Sequence, residues 1–143
     1  MSQPADSARI SPMLVYRDAP GAIDFLCRAF GFVEEFRMAT PDGGIGHAEL
    51  RYDTSVLMLA TEFPAFGLLS PASLTEVPCQ IYCAVDDLDS HYATARANGA
   101  TIVTEPRLQD HGERSYRALD LEGHRWMFGE RANPQSGSGT PAP

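Results

Sequence analysis

The sequence predicts an α+β fold of tandem βαβββ modules, and three observations carry that expectation. Two stretches of helical periodicity each follow a short apolar run of strand-like residues. Each stretch ends at a glycine, Gly31 or Gly99, placed where a helix C-terminus belongs. Three further strand-like runs separated by turn residues follow each helix, so the order of elements repeats although the residues do not.

Residues 10–16, ISPMLVY, read as the first strand. Asp18 is placed to cap the helix that follows, with Pro20 in its first turn. Ile23, Leu26, Cys27 and Phe30 fall at helical spacing and form one buried stripe. FVEEFRMAT and IGHAELRY flank a PDGG turn and read as a hairpin, and SVLMLA is a short apolar strand. After an apolar linker with two prolines, CQIYCAV opens the second copy. A helix starts at Asp86 or Asp87, with Leu88, Tyr92 and Ala95 on one face, and Asn98–Gly99 end it. TIVTEP, RSYRALD and HRWMFGE supply its remaining strands. The domains are a polar tail at 1–8, a first module at 9–60, a linker at 61–77, a second module at 78–130, and a Gly, Ser and Pro-rich tail at 131–143 expected to be disordered.

The 143 residues fit one domain or two halves sharing a core, and 43% hydrophobic with 21% charged residues is an ordinary globular composition. A net charge of −8 argues against nucleic acid as a partner and leaves room for a cationic small molecule. Cys27, Cys79 and Cys83 have no C-x-x-C spacing and read as small buried hydrophobes in a reducing cytoplasm. No signal peptide or membrane-length apolar run is visible, so a cytoplasmic protein without membrane attachment is expected.

VYRDAPGAIDFLCRAFGF, AVDDLDSHYATARANGA and HGERSYRALDLEGHRWMFGE together resemble the vicinal oxygen chelate superfamily. That superfamily includes glyoxalase I, bleomycin-resistance proteins, fosfomycin-resistance enzymes and extradiol dioxygenases. The resemblance covers residue 11 to about residue 130. It implies curled mixed sheets around a cavity, each sheet carrying its helix on the other face. It also implies pairing of two chains. Metal enzymes of the superfamily take His and Glu ligands from the first and last strands of each module. Ser11, Met58, Gln80 and Met127 match those positions here, and none carries an imidazole or carboxylate. A hydroxyl, an amide and two thioethers are weak partners for the metals concerned, so no metal and no cofactor are expected.

In GHAELRY, alternation sets His47, Glu49 and Arg51 apart from Ala48, Leu50 and Tyr52. If the apolar set faces the helix, His47 and Glu49 face the cavity as ligand contacts or as a general base and its orienting carboxylate. A solvated strand face with a cross-strand charge pair is the competing interpretation. The expected binding wall is Met13, Met58, Gln80, Tyr82 and Met127, with Val15 and Arg125 pointing the same way, and Arg114 and Tyr116 are further contacts from the closing hairpin. His91 and His111 read as surface residues. His124 reads as structural, and Trp126 and Phe128 as core. These observations lead to a metal-independent small-molecule-binding homodimer of the bleomycin-resistance type. The alternatives are a glyoxalase-type lyase or isomerase using His47 and Glu49, and a regulatory domain without a ligand.

Overall fold

A computed structural model describes residues 8–131; the tails expected at 1–8 and 131–143 lie almost wholly outside the described residues. The elements run β1 (Met13–Tyr16), α1 (Ala19–Phe30), β2 (Val33–Ala39), β3 (Ile45–Tyr52) and β4 (Ser55–Thr61). Two single 3-10 turns follow, and then β5 (Gln80–Val85), α2 (Leu88–Ala97), β6 (Thr101–Leu108), β7 (Arg114–Leu119) and β8 (Arg125–Glu130). The two βαβββ modules expected from the sequence are present. Their sheets have the same order, β1-β4-β3-β2 and β5-β8-β7-β6. In each, the first strand pairs in parallel with the last and the other pairs are antiparallel.

Local chemistry sets the element ends. The Asp18 carboxylate accepts from the Gly21 amide, and the Asp87 carboxylate accepts from the Ser90 amide. Gly31 ends α1 at φ 89°, a left-handed conformation that side chains with a Cβ adopt reluctantly. Equivalent backbone bonds tie each last strand to its first: the Glu62 amide donates to the Tyr16 carbonyl and the Arg131 amide to the Val85 carbonyl.

Each sheet buries one face under a helix and leaves the other open. On β3, Ala48 and Leu50 are fully buried on the helix side while His47, Glu49 and Arg51 alternate away from it. The two helices pack on each other, and the core runs through both modules. Phe30 of α1 touches Trp126 and Phe128 of β8 with ring centroids 5.2 and 4.8 Å apart. All three side chains are fully buried. Trp126 and Phe128 are therefore core, as expected.

His91 is a correction. Read as a surface residue, it is half-buried and fastens three elements: its Nδ1 lies 2.7 Å from the Tyr116 hydroxyl and its Nε2 2.9 Å from the Phe30 carbonyl. Its ring packs 4.4 Å from that of Phe128. The sequence showed its place beside the α2 stripe but not that α1 would close over it. Burial lowers its basicity, more than the Phe30 carbonyl raises it. The unfolded chain therefore takes up the proton first as the pH falls. The neutral imidazole's contribution is fully present above about pH 6.5, its ordinary value, and is lost as the pH falls through the lower folded-state value. Urea midpoints should drop between pH 7.5 and pH 5.5 by more in the parent than in His91→Gln. Equal drops would refute this assignment.

Cys79 is a second correction: it is exposed, because it lies just before β5 where no sheet or helix covers it, whereas Cys27 and Cys83 are half-buried.

Candidate functional site

The register aligns two equivalent rows of side chains on the open faces. Across the first sheet, Met13 lies opposite Met58, Met58 opposite Glu49, and Glu49 opposite Phe36. Across the second, Tyr82 lies opposite Met127, Met127 opposite Arg117, and Arg117 opposite Thr104. Because directly opposed residues share a face, each row is a continuous strip of the surface that no helix covers.

His47 and Glu49 meet on the first of these faces. His47 Nε2 lies 2.9 Å from a Glu49 carboxylate oxygen, and the Glu49 side chain is only 13% exposed. The pair is held because β3 is central in its sheet, flanked by β2 and β4. Phe36 packs near the imidazole at 6.1 Å between ring centroids. With Nε2–H donating to Glu49, Nδ1 is left as the acceptor. Met13, on the edge strand, is 66% exposed and lines the outer end of the row.

Gln80, Tyr82 and Met127 lie on the open face of the second sheet. Gln80 is opposite Arg125 rather than Met127, so the direct first-strand neighbours of Met58 and Met127 are Met13 and Tyr82. Ser11 precedes β1 altogether. The Tyr82 hydroxyl donates to the Glu113 carboxylate, and both occupy the space a side chain at Gly129 would fill. Burial first, then that hydrogen bond, pushes the Tyr82 phenol up to about 12, so it remains a donor at neutral pH.

Arg114 and Tyr116 are corrections, since both lie on the helix-covered side. Tyr116 is fully buried against Tyr92 and Phe128. The Arg114 guanidinium bridges Asp89 at 2.9 Å and Glu130 at 3.3 Å. The residues of β7 on the open face are Ser115, Arg117 and Leu119. The rule that worked for β3 would have found them: in RSYRALD, Tyr116 and Ala118 face the helix, leaving Ser115, Arg117 and Leu119 for the other side. Glu113 was missed because it sits in a loop, where alternation says nothing.

The carboxylates of the closing turn do structural work. Asp120, nearly fully buried, accepts from the Tyr16 hydroxyl at 2.6 Å, the Trp126 indole N–H at 3.1 Å, and the Glu122 and His124 amides at 3.1 Å each. Glu122 accepts from the amides of Arg17 and Asp18 where β1 turns into α1. His124 Nε2 lies 3.0 Å from the Val15 carbonyl. This turn fastens the second module to the first.

A cavity of about 330 Å³ opens at the seam between the modules, bordered by Phe32, Tyr52, Ile81, Cys83 and Trp126. Of the residues expected to bind a ligand, Tyr82 alone lines it. Burial pushes the Cys83 thiol up to about 11, so it is no thiolate nucleophile at neutral pH.

The residues present do not fit the superfamily's metal centre. Among the described residues no three His, Cys, Asp or Glu side chains converge where they could hold an ion, and the positions that the resemblance marks for ligands, Ser11, Met58, Gln80 and Met127, offer a hydroxyl, an amide and two thioethers. Among those residues, too, no helix is long and apolar enough to cross a membrane.

Comparison with known proteins follows the same lines. The family model for the glyoxalase/bleomycin resistance protein/dioxygenase superfamily matches residues 9–128. The chain is 38% identical over 124 residues to the uncharacterized protein Mb0911c of Mycobacterium bovis, covering 85% of this chain and 82% of the relative. It is similar to the crystal structure of TioX from Micromonospora sp. ML1, with a TM-score of 0.69 at 30% identity, covering 88% of this chain and all (100%) of that one. The fold is also that of protein PA1353 from Pseudomonas aeruginosa, with a TM-score of 0.69 at 20% identity over 89% of this chain and 100% of the other. The chain belongs to the glyoxalase/bleomycin resistance protein/dioxygenase superfamily.

Proposed function

We propose that this chain is a metal-independent small-molecule-binding protein of the superfamily, with its ligand seated on the open sheet faces. The observation that carries this reading is the His47–Glu49 pair, held at 2.9 Å on the first open face beside Met58 and Phe36. A retained carboxylate and imidazole among polarizable thioethers and an aromatic ring form an adaptable recognition surface. A thermal-shift screen of metabolites and antibiotics, followed by mapping of hits onto Met13, His47, Glu49, Met58, Gln80, Tyr82 and Met127, tests it. Hits that stabilise the fold without contacting either open face would refute it.

Metal independence has its own check. Elemental analysis of dialysed protein is expected to find no stoichiometric transition metal, and titrated metal should not raise the melting temperature, as a native-state ligand would. About one retained metal ion per chain would overturn it.

The second part of the reading is a C2 homodimer in which a partner covers the open faces. Phe63, Phe66, Leu68 and Leu69 of the linker are 50, 77, 47 and 40% exposed in the single chain, and Phe63 stacks on Phe66. Such a contiguous apolar cluster is the composition of an interface centre. Light scattering at micromolar concentration should give twice the chain mass, and Phe66→Glu should lower it to that of one chain. A parent protein that scatters as a monomer would defeat this.

One observation favours a second reading, an isomerase or lyase. Glu49 orients His47 and leaves Nδ1 free to take a proton from a bound substrate. Turnover that survives chelation and is lost in His47→Ala would establish it, while tight binding without turnover would favour the binder.

A further inference from the structure

We infer that the open face of the second sheet is an oxyanion-binding subsite with Arg117 as its charge, so that the ligand carries a carboxylate or phosphate group. This deepens the proposal above and rests on its placing of the ligand on the open faces. Arg114 and Arg117 are the two half-buried arginines among the described residues. Arg114 has two carboxylates, whereas no ion pair or hydrogen bond engages Arg117 among those residues. Two more arginines, Arg107 opposite Ser115 and Arg125 two residues before Met127, share this face, and neither has an acidic partner among the described residues. In a chain of net charge −8 that is a local reversal of sign.

Hydroxyl groups with unspent hydrogen-bonding capacity lie beside this charge. Thr104 sits directly across the ladder from Arg117, and Ser115 two residues before it on the same strand face. The side-chain oxygens of both are buried without a partner, and Ser115 is 1% exposed. A buried hydroxyl left unpaired in a native fold usually marks where a water or ligand belongs. A guanidinium with hydroxyl donors at its base is suited to the planar or tetrahedral oxygens of an oxyanion. Two acids lie nearby. Glu113 is occupied by Tyr82 and sits 3.5 Å from His111, and Glu105 is in the irregular stretch between Thr104 and Arg107. The duplication places Glu49 of the first sheet and Arg117 of the second at equivalent points in their rows. The two faces therefore select opposite ends of a ligand, one basic or hydrogen-bond-donating and one anionic.

The test uses the full chain, isotopically labelled, titrated separately with sodium phosphate and sodium acetate at ionic strength held constant with chloride. Saturable shifts of the Arg117 side-chain N–H and of the Thr104 and Ser115 amides are expected with at least one anion. Phosphate alone would indicate a phosphorylated ligand, and acetate alone a carboxylic acid. Arg117→Gln should weaken the response at least tenfold. Arg117→Lys should keep part of it, and Arg37→Gln, on the other sheet, should leave it unchanged. Flat titrations with both anions, or an Arg117→Gln response equal to the parent's, would overturn the inference. A library ligand that needs His47 and Glu49 while both anion titrations stay flat would sink this inference and leave the binding function standing. Anion binding at Arg117 with library hits that contact neither open face would leave this inference standing and sink the binding function proposed above.

Discussion

Asp120→Ala is expected to destabilise the fold by about 3 kcal/mol or more, from roughly 1–3 kcal/mol for each buried donor left without an acceptor. The carboxylate serves four donors, and two of them, the Tyr16 hydroxyl and the Trp126 indole N–H, belong to fully buried side chains that water cannot reach. Tyr16 is in β1 and Trp126 in β8, so the loss falls on the joint between modules. The neighbouring charge also holds the Tyr16 phenol protonated: burial, then Asp120, raises it well above its usual range. Asp120→Asn should cost less, because one oxygen remains to accept while the new amide faces donors. Trp126 is the sole tryptophan, so its fluorescence reports this site directly in urea unfolding. A shift in stability of under about 1 kcal/mol for the alanine variant would mean that the network is ornamental.

The second large effect concerns recognition. With any ligand that engages the first open face, Glu49→Gln and His47→Ala should each weaken binding by on the order of 2–5 kcal/mol, the range for losing one partner of a buried, charge-assisted contact. An exposed pair would change it by less than about 1 kcal/mol. The side-chain exposures of 13% for Glu49 and 29% for His47 place the pair nearer the first case. Glu49→Gln keeps the shape and removes the charge, so a loss there reports electrostatics rather than packing. Calorimetry in which both variants bind as tightly as the parent would move recognition to the methionines and Tyr82.

Much of the architecture was legible because it is written in local chemistry. Asp18, Gly31, Asp87 and Gly99 mark the helix ends through capping groups and positive φ, which depend on neighbours a few residues away. Alternation in GHAELRY placed His47 and Glu49 on one face, since a strand with an apolar and a polar side has one stable orientation against a helix. The lack of imidazoles and carboxylates at Met58, Gln80 and Met127 was equally plain.

Other features were decided only when the modules docked. The face that β7 turns outward, the burial of His91 under α1, and the Asp120 joint all depend on contacts between distant parts of the chain, with Tyr16 and Asp120 separated by 104 residues. Periodicity tells a residue which side of its own strand or helix it occupies. It does not say what comes to lie against that side. His91 and Arg114 carry ordinary surface chemistry in the sequence, and their roles follow from the partners that tertiary packing delivers, Phe30 and Tyr116 for one, Asp89 and Glu130 for the other. Arg117 is the converse case: the fold carries it to the middle of an open sheet and brings it no carboxylate among the described residues, leaving its charge free for a ligand.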